Sequence, residues 1–172
     1  MMKFILQDWA ANYSNPTKGK YVVVLFRFAQ FVKGNRFLFY LFIWYLFLYR
    51  IIVEWFMCIE LSWNTEIGAG LQIYHGSGLV IHPNSKIGEN CRIRQCTTIG
   101  VKQDTSNNYE TGAPCIGNNV DIGCNSVIIG DIVIGDNAII GAGSIVIQDL
   151  PRDSIAAGNP ARIIRYVNVN KM

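Results

Sequence analysis

From Ile67 onward an apolar residue recurs every six positions: Ile67, Ile73, Leu79, then Ile87, Ile93, Ile99, then Ile116, Ile122, Ile128, Ile134, Ile140 and Val146. Glycine follows the repeated residue at Gly68, Gly88, Gly100, Gly117, Gly123, Gly135 and Gly141. An inward side chain every sixth residue, followed by a residue without Cβ where the chain turns, is the pattern of a solenoid rather than of a layered domain. The hexads from Ile116 to Val146 stay in register without a slip. Three hexads close one turn of a triangular prism, so the repeats predict about four coils whose inward Ile and Leu side chains stack in ladders.

Two steps break the six-residue count. Leu79 to Ile87 is eight residues, which predicts a small bulge just after His75, and Ile99 to Ile116 is seventeen. The longer step leaves Val101 to Pro114 outside the prism as a polar loop. Insertions in a solenoid gather on its binding face, so both interruptions mark chemistry. Beyond Val146 the chain reads as a turn-rich exit ending in a short basic tail.

The chain has 172 residues, and the repeat occupies about half of them, leaving little room for a second core. Fifteen Lys and Arg against twelve Asp and Glu give a net charge of only +3 with no cluster, which argues against a nucleic-acid partner. Five cysteines without a CxxC pair or a signal peptide predict reduced thiols that serve as small buried apolar residues. Upstream of the repeat, Tyr21 to Phe31 and Phe37 to Tyr49 read as two helices joined by a turn at Lys33-Gly34-Asn35-Arg36, with Arg50 and Glu54 spaced for a helical ion pair. The second apolar run is short for a membrane span. These helices are expected to pack on each other and on neighbouring subunits, or to seat the protein peripherally on a membrane through basic and aromatic residues.

The hexads, with IYHGSG at Ile73 to Gly78, IGAGSIV at Ile140 to Val146 and AAGNPAR at Ala156 to Arg162, resemble the hexapeptide acyltransferases, in particular the serine acetyltransferase branch. The string LYRIIVEWFMCIEL before the first coil and the short N-terminal part are similar to the colanic-acid-type exopolysaccharide acetyltransferases. The resemblance spans roughly residues 49 to 167. It implies an all-β solenoid, a left-handed parallel β-helix with a short N-terminal α-helical segment, assembled as a homotrimer with acetyl-CoA held between neighbouring prisms. The boundaries expected are a helical segment over 1–59, the β-helix over 60–150 with the extended loop 101–114, and a C-terminal tail over 151–172.

His75, beside Gly76 and Gly78 where the register slips, is the candidate general base. Neutral imidazole, with a pKa near 6.5, can take an alcohol proton as the oxygen attacks a thioester. Its position matches the catalytic His of the family. Glu60, fifteen residues earlier, is the candidate carboxylate that orients it, where serine acetyltransferases carry Asp; Glu54 is the rival, better explained as the partner of Arg50. His82, beside Pro83 and Asn84, reads as a turn residue. A carbonic-anhydrase-type metal centre on this prism needs three His ligands, and the chain has two, so no metal is expected. For acetyl-CoA, family positions fall on Gly100, Cys124 and Ala142 along the coil edges, while Lys102, Arg162 and Arg165 are candidate partners for its phosphates.

The substrate signals depart from the serine enzymes. Their Asp before the catalytic His is here Tyr74, and their Arg-His pair before a Pro is here Gly112-Ala113 before Pro114. The cation that would bind an amino-acid carboxylate is missing, and losing such a partner costs several kcal/mol. Tyr74 with Asn107, Asn108 and Tyr109 of the loop suits the hydroxyls and apolar face of a sugar ring. The expectation is an acetyl-CoA-dependent O-acetyltransferase acting on a sugar, or on a lipid-linked oligosaccharide, in capsule or exopolysaccharide synthesis. It is expected in the cytoplasm or at the inner membrane face. The alternatives are a serine O-acetyltransferase and a non-catalytic solenoid scaffold.

Overall fold

The computed structural model describes residues 2–104, 109–110 and 112–167. From Ile59 the chain winds a left-handed parallel β-helix of about four coils with three flat faces. Face one carries strands Ile59–Leu61, Leu79–Ile81, Thr98–Gly100, Val127–Ile129 and Ile145–Val146; face two carries Glu66–Ile67, Lys86–Ile87, Cys115–Ile116 and Val133–Ile134. Face three carries Gln72–Tyr74, Arg92–Arg94, Asp121–Ile122, Ile139–Ile140 and Ser154–Gly158, and is closed by Ala161–Tyr166 running antiparallel to the last of these. The expected basic tail is therefore a β-hairpin as far as Tyr166.

The ladders form as the period dictates, with one shift. Ile81, not Leu79, pairs with Ile99, which pairs in turn with Ile128 and then Val146. The eight-residue step therefore runs from Ile73 to Ile81, and the two extra residues sit in the His75–Gly78 corner itself. Leu79 is buried as well, stacked on Ile59 one coil below.

The corners obey a rule the apolar count does not display. Three residues before most inward residues the backbone takes a positive φ: Gly70, Asn90, Asn119 and Asn137 on the edge between faces two and three, Cys58, Gly78, Cys96, Asn125 and Gly143 on the edge between faces three and one. Asn tolerates this left-handed region better than most residues with a Cβ, which explains its recurrence. One residue further on stand small buried polar side chains such as Ser126 and Ser144, whose hydroxyls donate to the carbonyls of Gly123 and Gly141 three residues back. The glycines after the inward residues serve close approach instead. A Cβ on Gly88 would stand 2.6 Å from the Gly117 backbone in the next coil.

The N-terminal segment contains helices α1 (Met2–Ile5), α2 (Gly19–Gly34), α3 (Arg36–Leu41) and α4 (Ile43–Tyr49), followed by a π-helix over Arg50–Phe56. The turn falls where it is expected: Asn35 leaves the helical region and its side chain accepts from the N–H groups of Phe37 and Leu38. The second expected helix is broken at Phe42. Val22, Phe26, Leu46, Tyr49 and Val53 bury one side of this assembly against the prism. Among the described residues no helix is long and apolar enough to cross a membrane.

The lowest coil would otherwise present a row of bare backbone groups, which is the hazard of any sheet edge. Side chains of the N-terminal segment satisfy them. Arg27 donates to the carbonyls of Ile67 and Gly68, Gln30 to Thr65, Tyr49 to Leu61, Asn12 to Leu71 and Asn15 to Ile73. Asp8 accepts from the Leu71 N–H and pairs with Arg27 at 2.7 Å, both side chains 1% exposed. Arg27 and Gln30, which look misplaced in an apolar helix, are the caps of the prism.

Candidate active site

His75 follows the strand Gln72–Tyr74 and opens the widened corner onto face one. Its φ is +65°, followed by Gly76 at +79° and Gly78 at +70°, so three of four residues adopt left-handed backbone. Strain of this kind concentrates at functional sites because the fold must hold the residue there. The His75 side chain is exposed, and its backbone N–H donates to Thr17 Oγ1 at 3.1 Å.

Backbone bonds stack the successive coils along the edge that carries His75: Gly78 N–H on the Cys58 carbonyl, Cys96 on Ser77, Asn125 on Gln95 and Gly143 on Cys124. Cys124 and Ala142 therefore lie on the same edge as His75, two and three coils above it, roughly 10 and 14 Å along the axis at the spacing of adjacent strands. Arg162 pairs with Ala157, which is packed over Gly141, and so belongs to the top of this edge. Arg165 pairs with Ile155 toward the far end of face three. Gly100 ends a face-one strand on a different edge, at the base of the loop, where Lys102 lies near Gly130. The space where a Gly100 Cβ would project is open. A single chain thus brings together His75, Cys124, Ala142 and Arg162, and sets Gly100 and Lys102 apart from them.

Glu60 projects outward from the first strand of face one, in register with Val80 one coil above. It lines a cavity of about 280 Å³ with Arg50, Glu54, Trp55, Ser62 and Pro83. Among the described residues no hydrogen bond or ion pair joins Glu60 to His75. Glu54 is committed to Arg50 at 3.2 Å across one helical turn, as expected. Burial pushes the Glu54 carboxyl above its usual range and the Glu60 charge adds to this, while Arg50 opposes it.

Tyr74 is half-buried beside His75. Its hydroxyl donates to Gln72 Oε1 at 3.1 Å and its ring lies 5.9 Å from the Arg94 guanidinium, which is itself held by Asp121 and the Ile122 carbonyl. The loop contains two short antiparallel strands, Gln103–Asp104 and Tyr109–Glu110. Asn107 and Asn108 lie outside the described residues. His82 accepts from the Asn84 N–H through Nδ1, the geometry of a turn residue. Of the cysteines only Cys91 fills the expected buried role, and burial pushes its thiol up to about 11. Cys58 and Cys96 occupy left-handed corner positions and Cys115 faces outward from its strand, so these three are exposed, while Cys124 is half-buried. Among the described residues no group of three or more His, Cys, Asp or Glu converges as metal ligands would. Thr17 and Asn15, which hold the His75 corner, carry no periodic signal that sequence reasoning could use.

No family model matches the chain. It is 39% identical over 116 residues to the Escherichia coli K12 protein named "Putative colanic acid biosynthesis acetyltransferase WcaB", covering 67% of this chain and 69% of that one. It is 40% identical over 106 residues to serine acetyltransferase 1 of Arabidopsis thaliana, covering 62% of this chain and 33% of the longer plant enzyme. The structure superposes on the Neisseria gonorrhoeae serine acetyltransferase with TM-score 0.78 and 27% identity, spanning 97% of this chain and 66% of that one. The soybean apoenzyme gives 0.76 and 28%, over 94% of this chain and 67% of its own. The prism, its coil register and these relatives together make the chain an acetyltransferase, a member of the hexapeptide-repeat family that includes the colanic acid and serine enzymes.

Proposed function

We propose that this acetyltransferase moves acetyl from acetyl-CoA to a sugar hydroxyl during capsule or exopolysaccharide synthesis, with His75 as general base. The observation that carries this reading is the exposed imidazole at the widened corner, on the edge shared by Cys124, Ala142 and Arg162. The imidazole takes the hydroxyl proton as the sugar oxygen attacks the thioester carbonyl. The tetrahedral adduct then collapses, and the imidazolium returns the proton to the departing CoA sulfur. No acyl-enzyme is needed. Glu60, on face one below Val80, is the carboxylate that in this reading orients and steadies the imidazolium. Acetyl-CoA lies along the edge, with its phosphates toward Arg162, while Arg165, farther back on face three, adds positive charge to that end of the prism.

Gly100 and Lys102 sit on a different edge from His75, so a site using both sets is completed by a neighbouring copy. The outward apolar residues Val133, Ile139 and Ile147 give such copies a surface to share in a homotrimer. Against serine as acceptor stand Tyr74 and Gly112-Ala113, which offer no cation to an amino-acid carboxylate. The similarity to the protein named for colanic acid synthesis supports a carbohydrate acceptor.

Helices α3 and α4 leave Phe37, Tyr40, Leu41, Ile43, Trp44 and Phe47 exposed, an apolar and largely aromatic stripe on both sides of the break at Phe42. Lys33, Arg36 and Arg50 flank the stripe, and no acidic residue occurs from Lys33 to Arg50. Cations bordering an aromatic face fit an anionic lipid surface, which supports a position at the inner membrane face beside a lipid-linked acceptor. The purified protein is expected to sediment with anionic vesicles and not with neutral ones; full recovery in the supernatant removes this part of the reading.

The acceptor is tested by following CoA release with methyl glycosides, nucleotide-activated hexoses, polyprenyl-linked oligosaccharides and L-serine, and reading the product linkage by NMR. Turnover is expected with one of the sugar classes. Turnover with serine alone overturns the proposal.

A further inference from the structure

Building on the reading of His75 as the base, we infer that Thr17 is a positioning residue that fixes where the imidazole stands. Two successive left-handed residues, His75 and Gly76, persist only where their surroundings fix them; backbone bonds within the coil hold Gly76, Gly78 and Leu79, and the bond from outside the coil enters at His75. The His75 backbone N–H supplies the handle, because it donates out of the prism to Thr17 Oγ1, 58 residues away in sequence. A hydroxyl has one proton and two lone pairs. Asn15 Oδ1 at 2.7 Å takes that proton in preference to the Ile73 carbonyl at 3.3 Å, which leaves a lone pair facing His75.

Asn15 is itself buried and donates from Nδ2 to the Ile73 carbonyl at 2.8 Å, so the strand that leads into His75 orients the amide that orients the hydroxyl. Gly19 permits the fit, since a Cβ there would stand 1.9 Å from the Ile73 oxygen. The segment Asn15 to Gly19 therefore clamps the chain from Ile73 to His75 from one side. General-base catalysis depends on the base standing within hydrogen-bond reach of the proton it removes, so a corner released from this clamp loses rate while acetyl-CoA binding along the edge above persists.

Thr17→Val keeps the shape and removes the hydroxyl. With acetyl-CoA and whichever glycoside gives the fastest CoA release, kcat is expected to fall on the order of tenfold. The KM for acetyl-CoA is expected to stay within about twofold, and Thr17→Ser is expected to restore kcat. The chain has only two histidines, so the His75 ring resonance is assigned by its loss in His75→Ala. Thr17→Val is expected to shift or split that resonance and leave that of His82 in place. If Thr17→Val does not fold, Thr17→Ala carries the same test. Wild-type kcat with an unmoved His75 resonance overturns the inference even when His75→Ala is silent, as does an equal loss in Thr17→Ser. Undiminished turnover in His75→Ala instead overturns the catalytic reading, and the resonance then reports the clamp alone.

Discussion

Between Ile116 and Val146 the chain repeats one local arrangement every six residues, whereas between Asp8 and Arg27 the buried side chains of Asp8, Asn12, Asn15 and Arg27 each meet different backbone groups of the lowest coil. The coils share their load: Ile116, Ile122 and Ile128 each sit between two large aliphatic neighbours, so these rungs are equivalent. The cap is a set of individual bonds, several fully buried, centred on one ion pair. A repeat tolerates loss by degrees, while a buried polar network fails sharply when one member goes, because its partners are left without water or protein.

Arg27→Ala gives the largest expected effect. It strands the Asp8 carboxylate and two carbonyls in the interior, and a loss of about 3–5 kcal/mol is expected in urea unfolding. Arg27→Met combined with Asp8→Leu is expected to recover only part of this, because the Leu71 N–H and the Ile67 and Gly68 carbonyls still lack partners. Full recovery would show that the ion pair, and not the edge, is what the cap serves. In the coils, Ile122→Ala and Ile128→Ala are each expected to cost about 3 kcal/mol. Losses that differ severalfold between these two rungs would break the picture of equivalent layers.

Smaller effects probe the corners. Asn125 is exposed with φ +56°, so Asn125→Ala is expected to cost about 1 kcal/mol and Asn125→Gly to be neutral or stabilising in thermal unfolding. Equal losses for both would mean that the Asn side chain, not its backbone, matters there. The smallest effect concerns Glu54. Its folded carboxyl is raised above the unfolded value, so folding favours the protonated form; that contribution is present below about pH 4.5 and is lost as pH rises through the raised value. Glu54→Gln is expected to match or slightly exceed the wild-type melting temperature at pH 7, with the difference shrinking toward pH 4. A lower value at pH 7 would show that the Arg50 ion pair outweighs the burial.

The same contrast explains what could be read from the chain alone. Periodicity is written in neighbouring residues, so the coils, the ladders, the loop at Val101 and the corner at His75 were legible. The assignment of Leu79 to the ladder failed because Leu79 and Ile81 are both buried, and six-residue counting cannot tell which of two apolar residues two positions apart faces its neighbours. The caps were not legible, because Asp8, Asn12, Asn15 and Thr17 are defined by partners more than fifty residues away. The thiols are not legible for a related reason: Cys58 and Cys96 stand exposed at left-handed corners and not in the core, a placement that composition and six-residue counting do not carry. The membership of Cys124 and Ala142 on the His75 edge needed coil stacking, which only the register of the strands supplies.

The most direct test of the account is the rate of CoA release from acetyl-CoA by His75→Ala in the presence of an accepted glycoside. A loss of about a hundredfold to ten-thousandfold, with the protein folded and still binding acetyl-CoA, is the predicted result. A rate within threefold of wild type would contradict it and leave the prism as a scaffold.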